Sequence, residues 1–470
     1  MTDQKVVITA GAGFGDEGKG HTVDYLVRAL GAGLVVRYNG GSQAAHNVVT
    51  PDGRHHTYAQ FGSGTFVPGV RTLLSKFMLV NPLNMLREEE ALRAAGVSDA
   101  FSRTFVDGEA LMVTPLHAAA NRILELYRDK NTARHGSCGA GIGQTMSDSL
   151  EFGDAVPRIK DLQDLAKLRK KWDWLRDQKF AKLESLVGPA ELAREIYAQS
   201  VWLYSNQARE RIFEDYALLQ TLLNIRDSDF CAELLRSERV SIFEGAQGVL
   251  LDQSYGFFPY NTWTDTTFWN AQKLLIASGF SGEVIKLGVL RAYYTRHGAG
   301  PFVTEDTGLT DVIPDAHNGN NDWQQNFRVG WFDSVAAKYA LEVVGGVDGL
   351  ALTCLDRLQV LPEVKVCTGY KLSNPSGSIS DYFSVNTEGI ITGIKVQKPT
   401  HNAHQEALTR NLYTVQPILE SVGPVQTQKQ VAGYIQYLQS LLGVPITLQS
   451  HGPSAGHIKT VVPYASAPLA

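Results

Sequence analysis

The segment Gly11-Ala-Gly-Phe-Gly-Asp-Glu-Gly-Lys-Gly20 constrains this chain more than any other. Before it, Lys5-Val-Val-Ile-Thr-Ala10 is a short apolar run of the kind a buried strand needs. After it, Val23, Leu26, Val27 and Leu30 recur at helical spacing. A glycine-rich turn between a buried strand and a helix start turns backbone N–H groups outward, and the helix N-terminus favours negative charge. The segment therefore reads as a phosphate cradle. Its Lys19 suits a polyphosphate, and its Asp16 suits a metal ion or a proton transfer. It is not a Walker loop, because Lys19 is followed by Gly20 and His21 rather than by a hydroxyl residue. It is not a dinucleotide fingerprint either, because Asp16 holds the place of the third glycine. The plain alternative is a tight turn that needs glycine for backbone reasons alone.

Composition narrows the setting. The chain has 470 residues, 44% hydrophobic and 19% charged, which is ordinary for a soluble globular protein with a large core. A net charge of −5 does not advertise a nucleic-acid partner. The four cysteines, Cys138, Cys231, Cys354 and Cys367, form no Cys-x-x-Cys pair, which argues against a zinc site or a disulfide framework. Reduced thiols in a cytoplasmic enzyme are the simplest account. No signal-peptide pattern and no apolar run of membrane-spanning length is present, so no membrane partner is expected.

Strand-like runs at 34–38, 72–74, 77–80, 240–243, 284–290 and 349–353 are separated by helical patterns such as 82–95, where Asn81 or Asn84 is the expected cap. Alternating strands and helices predict an α/β fold with a large, mainly parallel central sheet flanked by helices. Residues about 158–236 are rich in Lys, Arg, Glu, Leu and Ala and read as a helical insertion. Its basic run Lys167-Leu-Arg-Lys-Lys171 reads as a solvated face, since Asp161 and Asp164 flank it. Residues about 364–397 read as a small antiparallel β segment with Gly/Ser/Asn turns. One domain over 1–470 is expected.

Further polar, glycine-rich stretches are Asn39-Gly-Gly-Ser-Gln-Ala-Ala-His46, Glu244-Gly-Ala-Gln-Gly248 and Thr295-Arg-His-Gly-Ala-Gly-Pro-Phe302, each following a strand, and His135-Gly-Ser-Cys-Gly-Ala-Gly-Ile-Gly143, which reads as a second flexible loop. In an α/β sheet such loops converge on one ligand site. Taken with Arg328-x-Gly-Trp-x-Asp333 and Leu352-Thr-x-Leu-Asp356, their order and wording resemble the adenylosuccinate synthetase family over nearly the whole chain, as far as Ser450-His-Gly-Pro453. The resemblance implies a C–N bond-forming ligase. GTP phosphorylates the 6-oxygen of inosine monophosphate, and an amine, aspartate in the family, then displaces the phosphate. By resemblance Asp16 is the base that removes the N1 proton and a Mg²⁺ ligand, and the Ala45 carbonyl is a second metal ligand. His46 stabilises the phosphoryl group in flight, and Gln247 bonds the base near the reacting oxygen. Gly15, Glu17, Gly18, Lys19, Gly20, Asp356, Ser450, Gly452 and Pro453 fall to the nucleoside triphosphate. Gln43, Ser137, Cys138 and Thr262 fall to the acceptor. A homodimer is implied as well.

The departures cluster on substrate recognition. Where the family carries a Thr-Thr-Gly-Arg-Arg-Arg-Arg loop for the aspartate carboxylates, this chain reads Asp322-Trp-Gln-Gln-Asn-Phe-Arg328. Gln324, Gln325, Asn326 and Phe327 cannot make the charge-assisted pairs that arginines make with a carboxylate, Trp323 and Phe327 suit an apolar or planar group, and Arg328 alone survives. At the acceptor's phosphate end Gln43 replaces Asn and Ser137-Cys138 replaces a Thr-Thr pair. Phe152 falls where the family's partner-subunit arginine lies, with Arg158 as a candidate substitute. The guanine-reading Lys-x-Asp becomes Cys354-Leu-Asp356, which favours GTP and leaves ATP open. The expected function is a synthetase-type ligase with an amine donor altered from L-aspartate. The ordinary synthetase and a non-catalytic nucleotide-binding relative are the alternatives.

Overall fold

Val6, Val7 and Ile8 alternate between two apolar environments, and that alternation places the first strand at the centre of the molecule. Val7 faces Val23, Leu26 and Val27 of helix α1 (Lys19–Leu30). Val6 and Ile8 face Leu234 and Leu235 of helix Ser228–Ser237, and Ala271 and Leu274 of helix Trp269–Ser278. A strand buried on both faces must be covered by helices on both, as parallel sheets are. The computed structural model describes residues 4–131, 136–188, 205–313, 315, 323, 326–372, 379–397 and 402–461.

Ten strands build the main sheet: β1 (Lys5–Gly11), β2 (Leu34–Arg37), β3 (Arg71–Leu74), β4 (Thr104–Asp107), β5 (Asn224–Arg226), β6 (Val240–Gly248), β7 (Glu283–Arg291), β8 (Gly349–Thr353), β9 (Ile446–Ser450) and β10 (Ile458–Thr460). Their spatial order is β10-β9-β8-β7-β1-β6-β2-β3-β4-β5. Every neighbouring pair is parallel except β9 with β10. The sheet is thus mainly parallel and flanked by helices. The chain winds outward from β1 on one side and returns through β6 and β7 to wind outward on the other. Ligands of such sheets bind at the carboxyl ends of the strands where the winding reverses, which here means the loops after β1, β2, β6 and β7.

Helix α2 (Pro82–Ala94) starts at Asn81, whose side chain accepts from the Asn84 N–H at 3.2 Å. Pro82, which has no N–H to leave unpaired, takes the first turn. After α3 (Pro115–Asn131) and α4 (Ile142–Phe152), the long α5 (Leu165–Val187) packs on helix Asn206–Leu222 through Trp172, Phe213 and Tyr216, whose rings meet edge-on at 5.4–6.4 Å. The basic run on α5 is paired: Lys171 meets Asp161 at 2.7 Å, Lys167 meets it at 3.2 Å, and Arg169 meets Glu210 at 2.6 Å. The antiparallel ladder joins Val364–Leu372 to Val415–Gly423 as well as to Ile391–Ile394, so it extends beyond residue 397. Among the described residues no helix is long and apolar enough to cross a membrane.

Candidate active site

The glycine loop folds around one buried carboxylate. Glu17 Oε1 accepts from the N–H groups of Gly13 at 3.1 Å and Gly15 at 2.7 Å, and Oε2 takes the Lys19 ammonium. Glu17 was expected among the phosphate ligands, but it lies 2% exposed behind the loop and does not reach the cleft. Its chemistry explains the correction: a carboxylate repels a polyphosphate and here satisfies the loop's own amides. Gly18 caps α1 at φ 86°, a conformation that favours glycine. At Gly20 a Cβ would stand 2.6 Å from the His46 Cβ, so glycine lets the loop after β2 approach the cradle.

Around this loop opens a cleft of about 1060 Å³, large enough for nucleotide-sized ligands. Gly15, Asp16, Gly18, Lys19 and Gly20 line its floor, with Gln43, Ala45 and His46 to one side and Gln247 behind. Asp356, Ser450, Gly452 and Pro453 line one end. Ser137, Cys138 and Thr262 line the cleft as well. Trp323, Phe327 and Arg328 lie outside the lining, and Gln325 falls outside the described residues.

His46 opens the strand His46–Val49, and its Nδ1 lies 2.5 Å from Glu244 Oε1 on β6. Glu244 also accepts from the Ser63 N–H at 2.9 Å and from the Ser63 hydroxyl. Burial works against its charge, yet Arg37 and the bonds from His46 and Ser63 hold the carboxyl down at about 2. Burial drives His46 the other way, and with Arg37 and Lys19 near it the ring is pushed down to about 4 despite Glu244. The pair is therefore a carboxylate accepting Nδ1–H from a neutral imidazole, which fixes the tautomer and leaves Nε2 as the free ring nitrogen.

Asp16 has φ 58°, and its carbonyl accepts from Arg291 Nε. Burial would raise its pKa, but His297, Arg291 and Lys19 hold it below the usual carboxylate value, so it is ionised at neutral pH. His297, with Nε2 3.2 Å from Asp16 Oδ2, was not singled out from the sequence. Gln247, at φ 57°, is set by Asn39, which accepts from the Ala246 N–H at 2.8 Å and donates to the Ala246 carbonyl at 3.1 Å. The side-chain oxygens of Gln247 and Gln43 are buried without a protein partner among the described residues. Both residues line the cleft. Buried amides rarely go unpaired, so both suit a ligand's polar edge.

The arginines near the altered loop are committed elsewhere. Arg296 donates to the carbonyls of Ala299 (3.2 Å), Pro301 (2.8 Å) and Tyr260 (3.2 Å) and lies 4.4 Å over the Phe14 ring. Arg328 donates to the Gly298 and Gly300 carbonyls at 2.8 and 3.0 Å and pairs with Glu305. Trp323 stacks 5.4 Å from the Arg122 guanidinium and against Gly139. Phe152 packs on Trp174 of its own chain at 5.1 Å, and Arg158 is held by the Glu109 carbonyl at 2.8 Å, away from the cleft.

Among the described residues no group of three or more His, Cys, Asp or Glu gathers to cage a metal. Beside the glycine loop the cleft is bordered by Asp16 and by Ala45, whose backbone offers a carbonyl, a sparse set that suits Mg²⁺, which keeps its waters and takes phosphate oxygens.

A glycine-rich turn with Asp16 and Lys19 beside a buried histidine–carboxylate pair, at the switch point of a doubly wound sheet, marks a nucleotide-dependent α/β enzyme. Comparison narrows the class to a family. The adenylosuccinate synthetase family profile matches residues 7–458. The adenylosuccinate synthetase of Thermosynechococcus vestitus is 31% identical over 455 residues, covering 95% of this chain and 92% of that protein. That of a Synechocystis species is 31% identical over 455 residues, at 95% and 93% coverage. The fully ligated adenylosuccinate synthetase structure from Plasmodium falciparum superposes with a TM-score of 0.77 at 20% identity, covering 97% of this chain and 99% of that one. The cyanophage S-2L succinoaminodeoxyadenylate synthetase PurZ does so at 0.58 and 14% identity, covering 97% and 95%. The chain belongs to the adenylosuccinate synthetase family and is a ligase that forms C–N bonds at the expense of a nucleoside triphosphate.

Proposed function

We propose that the protein phosphorylates the 6-oxo group of an IMP-like purine nucleotide with GTP and joins that carbon to an amine other than L-aspartate. The observation that carries the second half is the commitment of Arg296 and Arg328 to carbonyls and Glu305 of their own loops. Neither guanidinium is left to clamp a second carboxylate, and the replacements in the run 322–328 are amides and aromatics.

In this reading Asp16 takes the N1 proton, which makes the 6-oxygen nucleophilic. Lys19 and the loop amides hold the β- and γ-phosphates, and His46, held by Glu244, takes up a proton at Nε2 when phosphate charge arrives and donates it as a hydrogen bond to the transferring group. Phosphoryl transfer needs this kind of positioned charge rather than covalent help. Mg²⁺, when bound at Asp16 and the Ala45 carbonyl, would neutralise phosphate charge. Gln247 and Gln43 meet the acceptor, with Ser137, Cys138 and Thr262 around it. Asp356, Ser450, Gly452 and Pro453 read the nucleotide base. PurZ holds dGMP with dATP as energy donor, so ATP belongs beside GTP in any assay. The helical insertion and the antiparallel segment work with the sheet as one unit.

The test is a steady-state assay with GTP, Mg²⁺ and IMP, titrating aspartate against a panel of amines. Other amines should support phosphate release better than aspartate. Loss of two arginine–carboxylate contacts should weaken aspartate by roughly 10²–10⁴. Aspartate-dependent adenylosuccinate formation with a Michaelis constant below about 1 mM would overturn the altered donor.

A further inference from the structure

His297 occupies the one place that the pattern Thr-Arg-x-Gly-Ala-Gly-Pro-Phe leaves open, and nothing above gives it a task. It ends the strand Tyr294–His297, which pairs antiparallel with Phe327–Gly330, so that His297 stands opposite Phe327. The two rings lie 5.0 Å apart. On its other side His297 Nε2 reaches Asp16 Oδ2 at 3.2 Å, across 281 residues of chain.

Asp16 is already restrained at the backbone, by its left-handed conformation and by the Arg291 bond to its carbonyl. Neither restraint fixes the side-chain rotamers, and a carboxylate that must meet one particular proton needs its own anchor. His297 is the group that touches it. We propose that His297 is a positioning residue: its Nε2–H donates to Asp16 Oδ2 and leaves Oδ1 aimed into the cleft for the acceptor's N1 proton. This rests on the assignment of Asp16 as the base. His297 also couples that base to the run that departs from the family, because Phe327 packs on the same imidazole.

Two experiments test this. Crystal structures of the free protein and of His297→Ala should place the Asp16 carboxylate in one rotamer in the first and in a shifted or split position in the second. An unmoved carboxylate in the variant would overturn the proposal. The second experiment needs no amine: oxygen-18 exchange between the β,γ-bridge and the β-nonbridging positions of labelled GTP, with Mg²⁺ and IMP present. His297→Ala should slow exchange by about tenfold to a hundredfold, the scale of a misplaced reacting group. GTP affinity should stay within about twofold, as expected when only transition-state positioning is lost. His297→Gln, which keeps an N–H donor, should recover most of the rate. In an Asp16→Asn background the His297→Ala change should cost nothing more, because the two act as a unit. Equal losses in the Ala and Gln variants, or independent losses in the double variant, would overturn the role. If wild-type protein gives no exchange with IMP, the acceptor assignment fails instead, and the crystal structures alone decide the question for His297.

Discussion

At the scale of single residues, the His46–Glu244 pair shows how burial assigns chemistry. Glu244 is charged because Arg37 and two donors outweigh its burial, and His46 is neutral because burial outweighs its carboxylate partner. Replacing His46 by Asn should raise the barrier to phosphoryl transfer by about 3–4 kcal/mol and leave nucleotide affinity little changed. Turnover and GTP dissociation constants measured on the same preparation check this; lost affinity with a normal saturated rate would make His46 a binding residue. This scale is also where the sequence was least legible. That Asp16, Lys19 and Gln247 belong together follows from their motifs. That Glu17 turns inward, that Arg296 is spent on three carbonyls, and that His297 meets Asp16 does not. A residue type states which bonds a side chain can make, and long-range topology chooses which bond it does make.

At the scale of elements, boundaries came through wherever apolar runs met glycine or a cap. The strands at 34–37, 71–74 and 349–353 and the helix at 82–94 lie within a residue or two of where periodicity puts them. The β run at 364–372 is legible as a strand, but its partner at 415–423 lies more than forty residues on, and no local pattern names it. Asp333, the last residue of the Gly-Trp motif, proves to be an N-cap. It accepts from Val335 and Ala336 N–H groups at 3.1 and 3.0 Å and from the Tyr370 hydroxyl at 2.8 Å. Burial pushes its carboxyl up to about 6, despite those bonds. With a folded pKa above the unfolded value of 3.8, the fold holds the proton longer. Stability is then unaffected below about pH 4 and is lost as pH rises to about 6. Asp333→Asn keeps the acceptor and removes the titration. Relative to wild type, its urea midpoint should rise between pH 4 and pH 7, by an amount equivalent to no more than about 3 kcal/mol. A difference that stays flat with pH would show that Asp333 does not carry this penalty.

At the scale of the whole molecule, we expect a homodimer. Members of the family are typically dimeric, and by resemblance the segment 139–152 reaches across the subunit boundary, with Leu150 of α4 in it 74% exposed. Phe152 of the same helix packs edge-on against Trp174 of its own chain at 5.1 Å. Sedimentation at micromolar concentration should give twice the chain mass, and Leu150→Lys should shift it toward monomer; a fully active wild-type monomer would remove the claim. The ribbon formed by Tyr294–His297 and Phe327–Gly330 shares no ladder with the ten-stranded sheet. Mutations can therefore accumulate on it without disturbing the register of β1, which leads into the loop of Asp16, or of β6, which carries Gln247. For a lineage this means that most of the ribbon can be rewritten without touching the sheet, and that position 297, which meets Asp16, is where such rewriting reaches the phosphate loop.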